Sequence, residues 1–270
     1  MNDHDDIFAD EAATGAQTPL RDKPMGFFDH LEDLRWTLIK CVGVFLVFAV
    51  LIGIFLREFN DVLLWPLHAV QAEKGTLQID LGTTSIMETF TVIMQMCFMG
   101  GFVLSAPFIL LFIGQFVSPA LTEKELKVVL PLCIAAMLLF IGGALFSYGL
   151  LVPSTLRVSV ELNEYFGFVM RWTPGSYYSL LMWLVLGVGA SFEFPLLIVL
   201  LVYMGIMTTA TLTKYRRHAI VGIFVIAAIV TPTPDPITQT IFAAPLYLLF
   251  ELAVIVSRRV ERKRALRLEA

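Results

Sequence analysis

The sequence predicts an all-α, polytopic membrane protein with six transmembrane helices, the last two of them short. Three observations carry this. Of 270 residues, 57% are hydrophobic and only 16% charged, with a mean hydropathy of +0.79; a soluble domain is about 45–50% apolar and about 25% charged. A chain of this length cannot hide so many apolar side chains in one core and still show water a polar surface. The apolar residues fall into six runs, at about 37–56, 89–117, 126–152, 177–205, 219–230 and 240–256. The cations gather on alternate sides of those runs. Together these argue against a free soluble enzyme, a nucleic-acid module and a secreted disulfide scaffold. The net charge of −4 decides little, because sidedness matters more than the sum.

Residues 1–24 carry Asp3, Asp5, Asp6, Asp10, Glu11 and Asp22 with no apolar core. They read as a disordered acidic tail rather than a secretory signal peptide. A membrane domain follows over 25–257, and a basic tail over 258–270. The first run can just cross a hydrocarbon core of about 30 Å, and the next three are longer than needed. The fifth, about 12 residues, fails on length alone. It is kept because the tight connection from Thr231 to Pro236 reads as the turn of a helical hairpin with the sixth. Even-numbered spans then put fourteen Lys and Arg on one side and four (Arg57, Lys74, Arg157, Arg171) on the other. By the positive-inside rule both termini are cytoplasmic. The outer loops, about 57–88 and 153–176, carry Trp65-Pro66 and Trp172-Thr173-Pro174, and read as a cap at the outer surface.

Cys41, Cys97 and Cys133 lie in apolar runs without CxxC or Cys/His spacing, and read as small buried residues. His30, His68 and His218 are isolated at span edges. No Walker loop, GxGxxG, HExxH or Ser/His arrangement occurs, so the sequence implies no metal, no cofactor and no enzymatic reaction. The informative residues are the ones that are costly to place in lipid. Glu193 lies mid-span beside Pro195, and Glu251 lies in the last span after Pro245. Each reads either as a neutral carboxyl bonded to a neighbouring helix or as a polar spot drawing water or a partner into the bilayer. Gly100-Gly101 and Gly142-Gly143 read as close helix contacts, and Gln95, Ser105 and Pro107 in span two read as packing residues.

On the cytoplasmic side, carboxylates concentrate in Asp29-His30-Leu31-Glu32-Asp33-Leu34-Arg35, an amphipathic lead-in to span one, and in Glu123-Lys124-Glu125. These read either as charge balance in solvated segments or as a surface for a basic ligand. Carboxylates take guanidinium bidentately, and lysine matches that geometry poorly. An ion-coupled small-solute transporter using Glu193 and Glu251 is the alternative from another class, though no inverted repeat is visible.

Five elements, in order, resemble the TatC family, the multi-span core of the twin-arginine protein translocase. They are Asp29 to Thr37; Phe116-Val-Ser-Pro119-Ala120-Leu121 followed by Glu125; Ser191-Phe192-Glu193-Phe194-Pro195; Thr231 to Asp235 followed by Gln239; and Pro245 to Glu251. The resemblance spans about residues 26–262. It implies a concave, glove-like bundle in the bacterial cytoplasmic (inner) membrane. That bundle binds the twin-arginine signal peptide of folded precursor proteins and takes part in their proton-motive-force-driven export. The implied partners are TatA-type and TatB-type single-span subunits and membrane lipid, with the chain a homo-oligomer within a receptor complex and no nucleic acid involved. Recognition falls on Asp33 and Glu125, with Arg35 and Leu31 beside them. Glu193, Gln239 and Glu251 match intramembrane polar positions, and Pro66, Pro107, Phe116, Pro119, Pro195 and Asp235 match structural ones. Asp33 stands where the family has glutamate, and Thr37 replaces a second arginine. Glu32, next to Asp33, points about 100° away on a helix.

Overall fold

Helix formation here follows from the solvent. In hydrocarbon every backbone polar group must be satisfied within the protein, and a helix does so locally. The computed structural model describes residues 27–74, 81–117, 123–232 and 235–268. The acidic tail and Pro119 lie outside them. The described residues form helices only, in the order α1 (Phe27–Ile54), α2 (Leu56–Lys74), α3 (Ile86–Gln95), α4 (Gly101–Val117), α5 (Glu123–Phe146), α6 (Val152–Phe166), α7 (Pro174–Ser191), α8 (Phe194–Met204), α9 (Thr209–Lys214), α10 (Arg216–Val230) and α11 (Pro236–Leu268). Five stretches among them are long and apolar enough to cross a membrane: His30–Ile54, Ile86–Phe116, Leu130–Phe166, Pro174–Met204 and Pro236–Arg262.

Three features differ from the sequence reading. The amphipathic lead-in is no separate helix, because α1 runs unbroken for 28 residues and nothing between His30 and Ile54 stops it. The third span continues past residue 152 to Phe166. Pro153 sits in the first turn of α6, directly after a π-helical turn at Ser147–Leu151, where a missing N–H costs little. The Ser154 hydroxyl donates to the Leu150 carbonyl at 2.7 Å, and Gly167, at φ 70°, ends the helix. The expected short hairpin is short in α10 alone, whose 15 residues span about 22 Å. Its partner α11 carries on for 33 residues, since nothing in the basic segment after Val256 breaks a helix. Residue 258, where the tail was expected to begin, lies within that helix.

The α1–α4 seam depends on glycine. A Cβ on Gly101 would stand 2.9 Å from the Ala49 Cα; one on Gly100, in the π-helical turn before α4, would stand 2.9 Å from the Ile52 Cδ1 of α1 and 2.7 Å from the Phe59 ring of α2. A second close approach joins α5 to α7, where a Cβ on Gly143 would meet Phe192 at 2.9 Å, whereas Gly142 has open space. One member of the predicted glycine pair in α5 therefore faces a helix closely, and both members of the pair in the second span do.

The segments expected to form the outer cap are built on α2. Pro66 cannot donate the helical hydrogen bond to the Val62 carbonyl. The Tyr148 hydroxyl supplies that donor instead, its ring stacked on Trp65 with centroids 5.6 Å apart. The Tyr177 hydroxyl donates to the next carbonyl, Leu63, at 2.6 Å, and Tyr178 donates to the Asn60 side chain. Arg157 of α6 reaches Glu73 of α2 at 2.8 Å. The core beneath, with Val70, Leu151, Val160, Leu184, Val188 and Phe242 all buried, packs α2, α6, α7 and α11 together.

Tyr177→Phe removes the donor from a buried carbonyl and keeps the ring. It is expected to destabilise the protein by about 1–3 kcal/mol, seen as a lower thermal midpoint in detergent. An unchanged midpoint would show that the Leu63 carbonyl finds another donor.

Candidate functional site

At the end of the bundle where α1 begins and α4 ends, His30 stacks on Phe116 with ring centroids 4.6 Å apart and planes 19° from parallel. This contact ties the start of α1 to the last turn of α4. Beside it lies a niche of about 140 Å³ lined by Asp33, Trp36, Thr37, Lys40, Phe112, Gln115 and Phe116. Asp33 is half-buried in it and makes no ion pair among the described residues. Glu32 is exposed, so the two neighbouring carboxylates sit in different surroundings. Arg35 lies over the Trp36 ring at 5.8 Å, and Leu31 is exposed. Glu125 lies in the first turn of α5, its side chain outside the described ones.

Deeper in the bundle, Glu193 occupies the break between α7 and α8. Pro195 cannot donate to the Ser191 carbonyl, and the chain tightens there. The Glu193 N–H bonds Ala190 at 3.2 Å, three residues back, before α8 resumes with Leu197 N–H to the Glu193 carbonyl at 3.0 Å. Pro195 takes a first-turn position of α8, where it is tolerated. The break rests on α5 through Phe192, whose ring meets Gly143 and stacks on Phe146 at 5.9 Å. The Glu193 Oε1 is buried with no hydrogen-bond partner among the described residues. Of the two readings left open by sequence, the neutral carboxyl bonded to a neighbouring helix therefore lacks its bond.

Glu251 is different. Arg216, at the start of α10, reaches its Oε2 at 3.0 Å, and the Tyr247 hydroxyl donates to its Oε1 at 3.1 Å. The residue joins the two helices of the hairpin as an ion pair. Gln239 donates to the Phe224 carbonyl at 3.0 Å, and Asp235 accepts the Thr238 N–H at 2.6 Å, capping α11. Pro107 is buried in α4, with the Ser105 hydroxyl donating to the Phe102 carbonyl at 3.0 Å.

Two positioning residues escaped the sequence reading. Trp183 of α7 donates to the Val230 carbonyl, the last of α10, at 3.1 Å, and no local signal marks that long-range pair. Glu88 accepts from the Thr84 N–H at 2.7 Å and from the Gly175 N–H at 3.2 Å. One carboxylate thus serves the N-terminal ends of both α3 and α7, where helix dipoles favour negative charge. Its signal was present in Ser85-Ile-Met-Glu88, a capping-box spacing.

The sequence from 29 to 245 matches the family model described as Sec-independent protein translocase protein (TatC). A TatC of Koribacter versatilis is 33% identical over 89% of this chain and 88% of its own. That of Escherichia coli K12 is 34% identical over 85% and 86%. A crystal structure of a twin-arginine translocase receptor, TatC, superposes with a TM-score of 0.71 at 30% identity, covering 84% of this chain and 99% of its own.

The Arg216–Glu251 pair is partly exposed, at 39% and 24%, so its coupling is expected to be about 1 kcal/mol. Glu251→Gln should destabilise more than the double change Glu251→Gln/Arg216→Gln, because the single change leaves an unpaired cation. Additive effects in thermal unfolding would rule out direct coupling.

Proposed function

The chain belongs to the TatC family of Sec-independent protein translocase proteins, and on that premise we propose how its own residues receive the twin-arginine signal. It is a multi-pass membrane protein and the core subunit of the twin-arginine translocation system. It acts in protein transport and is not an enzyme. The ion-coupled solute alternative has no support: Glu251 is held by Arg216 and Tyr247, and the relatives are translocase proteins.

In our reading, both termini face the cytoplasm of a bacterial inner membrane, and Asp33 and Glu125 receive the paired arginines there. The observation that carries this is the half-buried Asp33 carboxylate, without an ion pair, in a niche fixed by the His30–Phe116 stack. A guanidinium entering it gains a charge-assisted, bidentate bond that an ammonium cannot copy. Glu125 contributes from the first turn of α5, the next helix at that end. Arg35 and Leu31 flank the entry. Glu193 then offers an unsatisfied oxygen to a signal sequence inserting alongside the α7–α8 break, in surroundings where polar contacts are scarce. Single-span TatA-type and TatB-type subunits, and further copies of this chain, complete the complex. The short α10 favours them, because a helix of about 22 Å mismatches a core of about 30 Å.

Photocrosslinking of a twin-arginine peptide to the detergent-solubilised chain tests the site. Asp33→Ala and Glu125→Ala should each weaken it at least tenfold, and a paired-lysine peptide should crosslink poorly to the unaltered protein. Unchanged crosslinking in both variants would remove these residues from the receptor. Glu193→Ala should keep surface crosslinking but lose transport of a folded precursor into inverted vesicles; normal transport would leave Glu193 a purely structural residue. Insertion of four leucines in α10 should abolish transport while the chain still folds.

A further inference from the structure

At the membrane end where α8 gives way to α9 and α10, the exposed stripe of α11 changes character without changing direction. Leu248, Leu252 and Ile255 are 63%, 55% and 46% exposed. Arg259 and Arg262, the next positions on the same helical face at steps of four and three, are exposed as well. On α10 the exposed Val221 stands one turn from the exposed Arg217. Both helices of the hairpin thus pass from lipid-facing apolar side chains to cations within one turn, a change that fits the boundary between acyl chains and headgroups.

Among the described residues these cations have no carboxylate partner. Nearby Glu251 is taken by Arg216. Glu261 is turned onto α9, accepting from the Thr209 N–H at 3.1 Å and from the Thr209 hydroxyl. Arg258 reaches the Thr213 hydroxyl at 3.4 Å. Arg217, Arg259 and Arg262 make no ion pair among the described residues. The ties from Glu261 and Arg258 hold α11 against α9 beyond the apolar segment, so the guanidinium groups stand on a braced helix rather than a loose tail.

We propose that the cytoplasmic ends of α10 and α11 form a binding site for an anionic glycerophospholipid. Its phosphodiester is met by Arg259, Arg262 and Arg217, and its acyl chains lie along the Leu248–Leu252–Ile255 stripe. The stripe's continuity with the cations argues for a lipid over a soluble acidic partner, which would meet the charge but leave the apolar part uncovered. Guanidinium suits the phosphate oxygens bidentately. The site is separate from the Asp33 niche and does not depend on the signal-peptide reading.

The test uses the full chain in nanodiscs of phosphatidylcholine and phosphatidylglycerol in equal amounts, with bound lipid counted by native mass spectrometry. Phosphatidylglycerol should be enriched over phosphatidylcholine. Arg259→Gln/Arg262→Gln should cut that enrichment about fivefold per arginine, corresponding to about 1 kcal/mol per cation at an anionic surface. Arg217→Gln should lower it separately, with each variant's thermal midpoint in pure phosphatidylcholine unchanged. Equal retention of both lipids by the unaltered chain would overturn the proposal. So would displacement of the lipid by inorganic phosphate at matched concentration, which would make this a site for the free anion. Unchanged enrichment in the glutamine variants, with loss of a co-purifying single-span protein, would make the stripe a protein interface and overturn it as well.

Discussion

Hydrocarbon offers a backbone carbonyl no water, and that constraint governs the positions where these helices depart from regularity. Pro66, Pro153 and Pro195 each withhold a donor, and each departure is managed by the protein itself. Tyrosine hydroxyls from α7 and the third span bond α2 at Val62 and Leu63. Pro153 takes a first-turn position of α6 directly after a π-helical turn. A tightened turn carries the chain through the α7–α8 break. The tyrosine bonds brace the cap, and the tightened turn sets Glu193 at the break.

The two intramembrane glutamates show how surroundings separate roles that sequence leaves equal. Glu251 sits one helix away from a basic segment and becomes an ion pair, with a tyrosine completing it. Glu193 lies far from any cation in sequence and keeps a buried oxygen without a partner among the described residues. The first holds the short α10 to α11. The same contrast holds at the surface, where Asp33 is recessed among aromatics and Glu32 is open to solvent.

Most of the architecture was legible because apolar run length and cation placement are averages over many residues. The long spans, the short α10, the kink at Pro195 and the close approach at Gly143 all follow from such sums or from residues with one strong local effect. What was not legible depended on pairs distant in sequence. Nothing near Trp183 announces Val230, and nothing near Arg216 announces Glu251. The end of the third span was misjudged because a proline after an apolar run reads as a stop. The π-helical turn before Pro153, which makes that proline a beginning, leaves no composition signal. Glu88 was a different case: its capping-box spacing was visible, but its second bond, to Gly175, was not.

The tyrosine bonds to α2 also set an order in time. The donors for Val62 and Leu63 lie 86 and 114 residues further along the chain. At synthesis rates of about 5–20 residues per second, Tyr148 leaves the ribosome roughly four to seventeen seconds after Val62. Throughout that interval α2 carries the proline-freed Val62 carbonyl without its eventual donor, so the nascent cap cannot settle until the third span arrives, and the Leu63 bond follows with Tyr177 of the fourth. A helix whose repair is encoded so far downstream serves as a checkpoint on biogenesis: a chain truncated before Tyr148 keeps its first spans but leaves the Val62 carbonyl unmet.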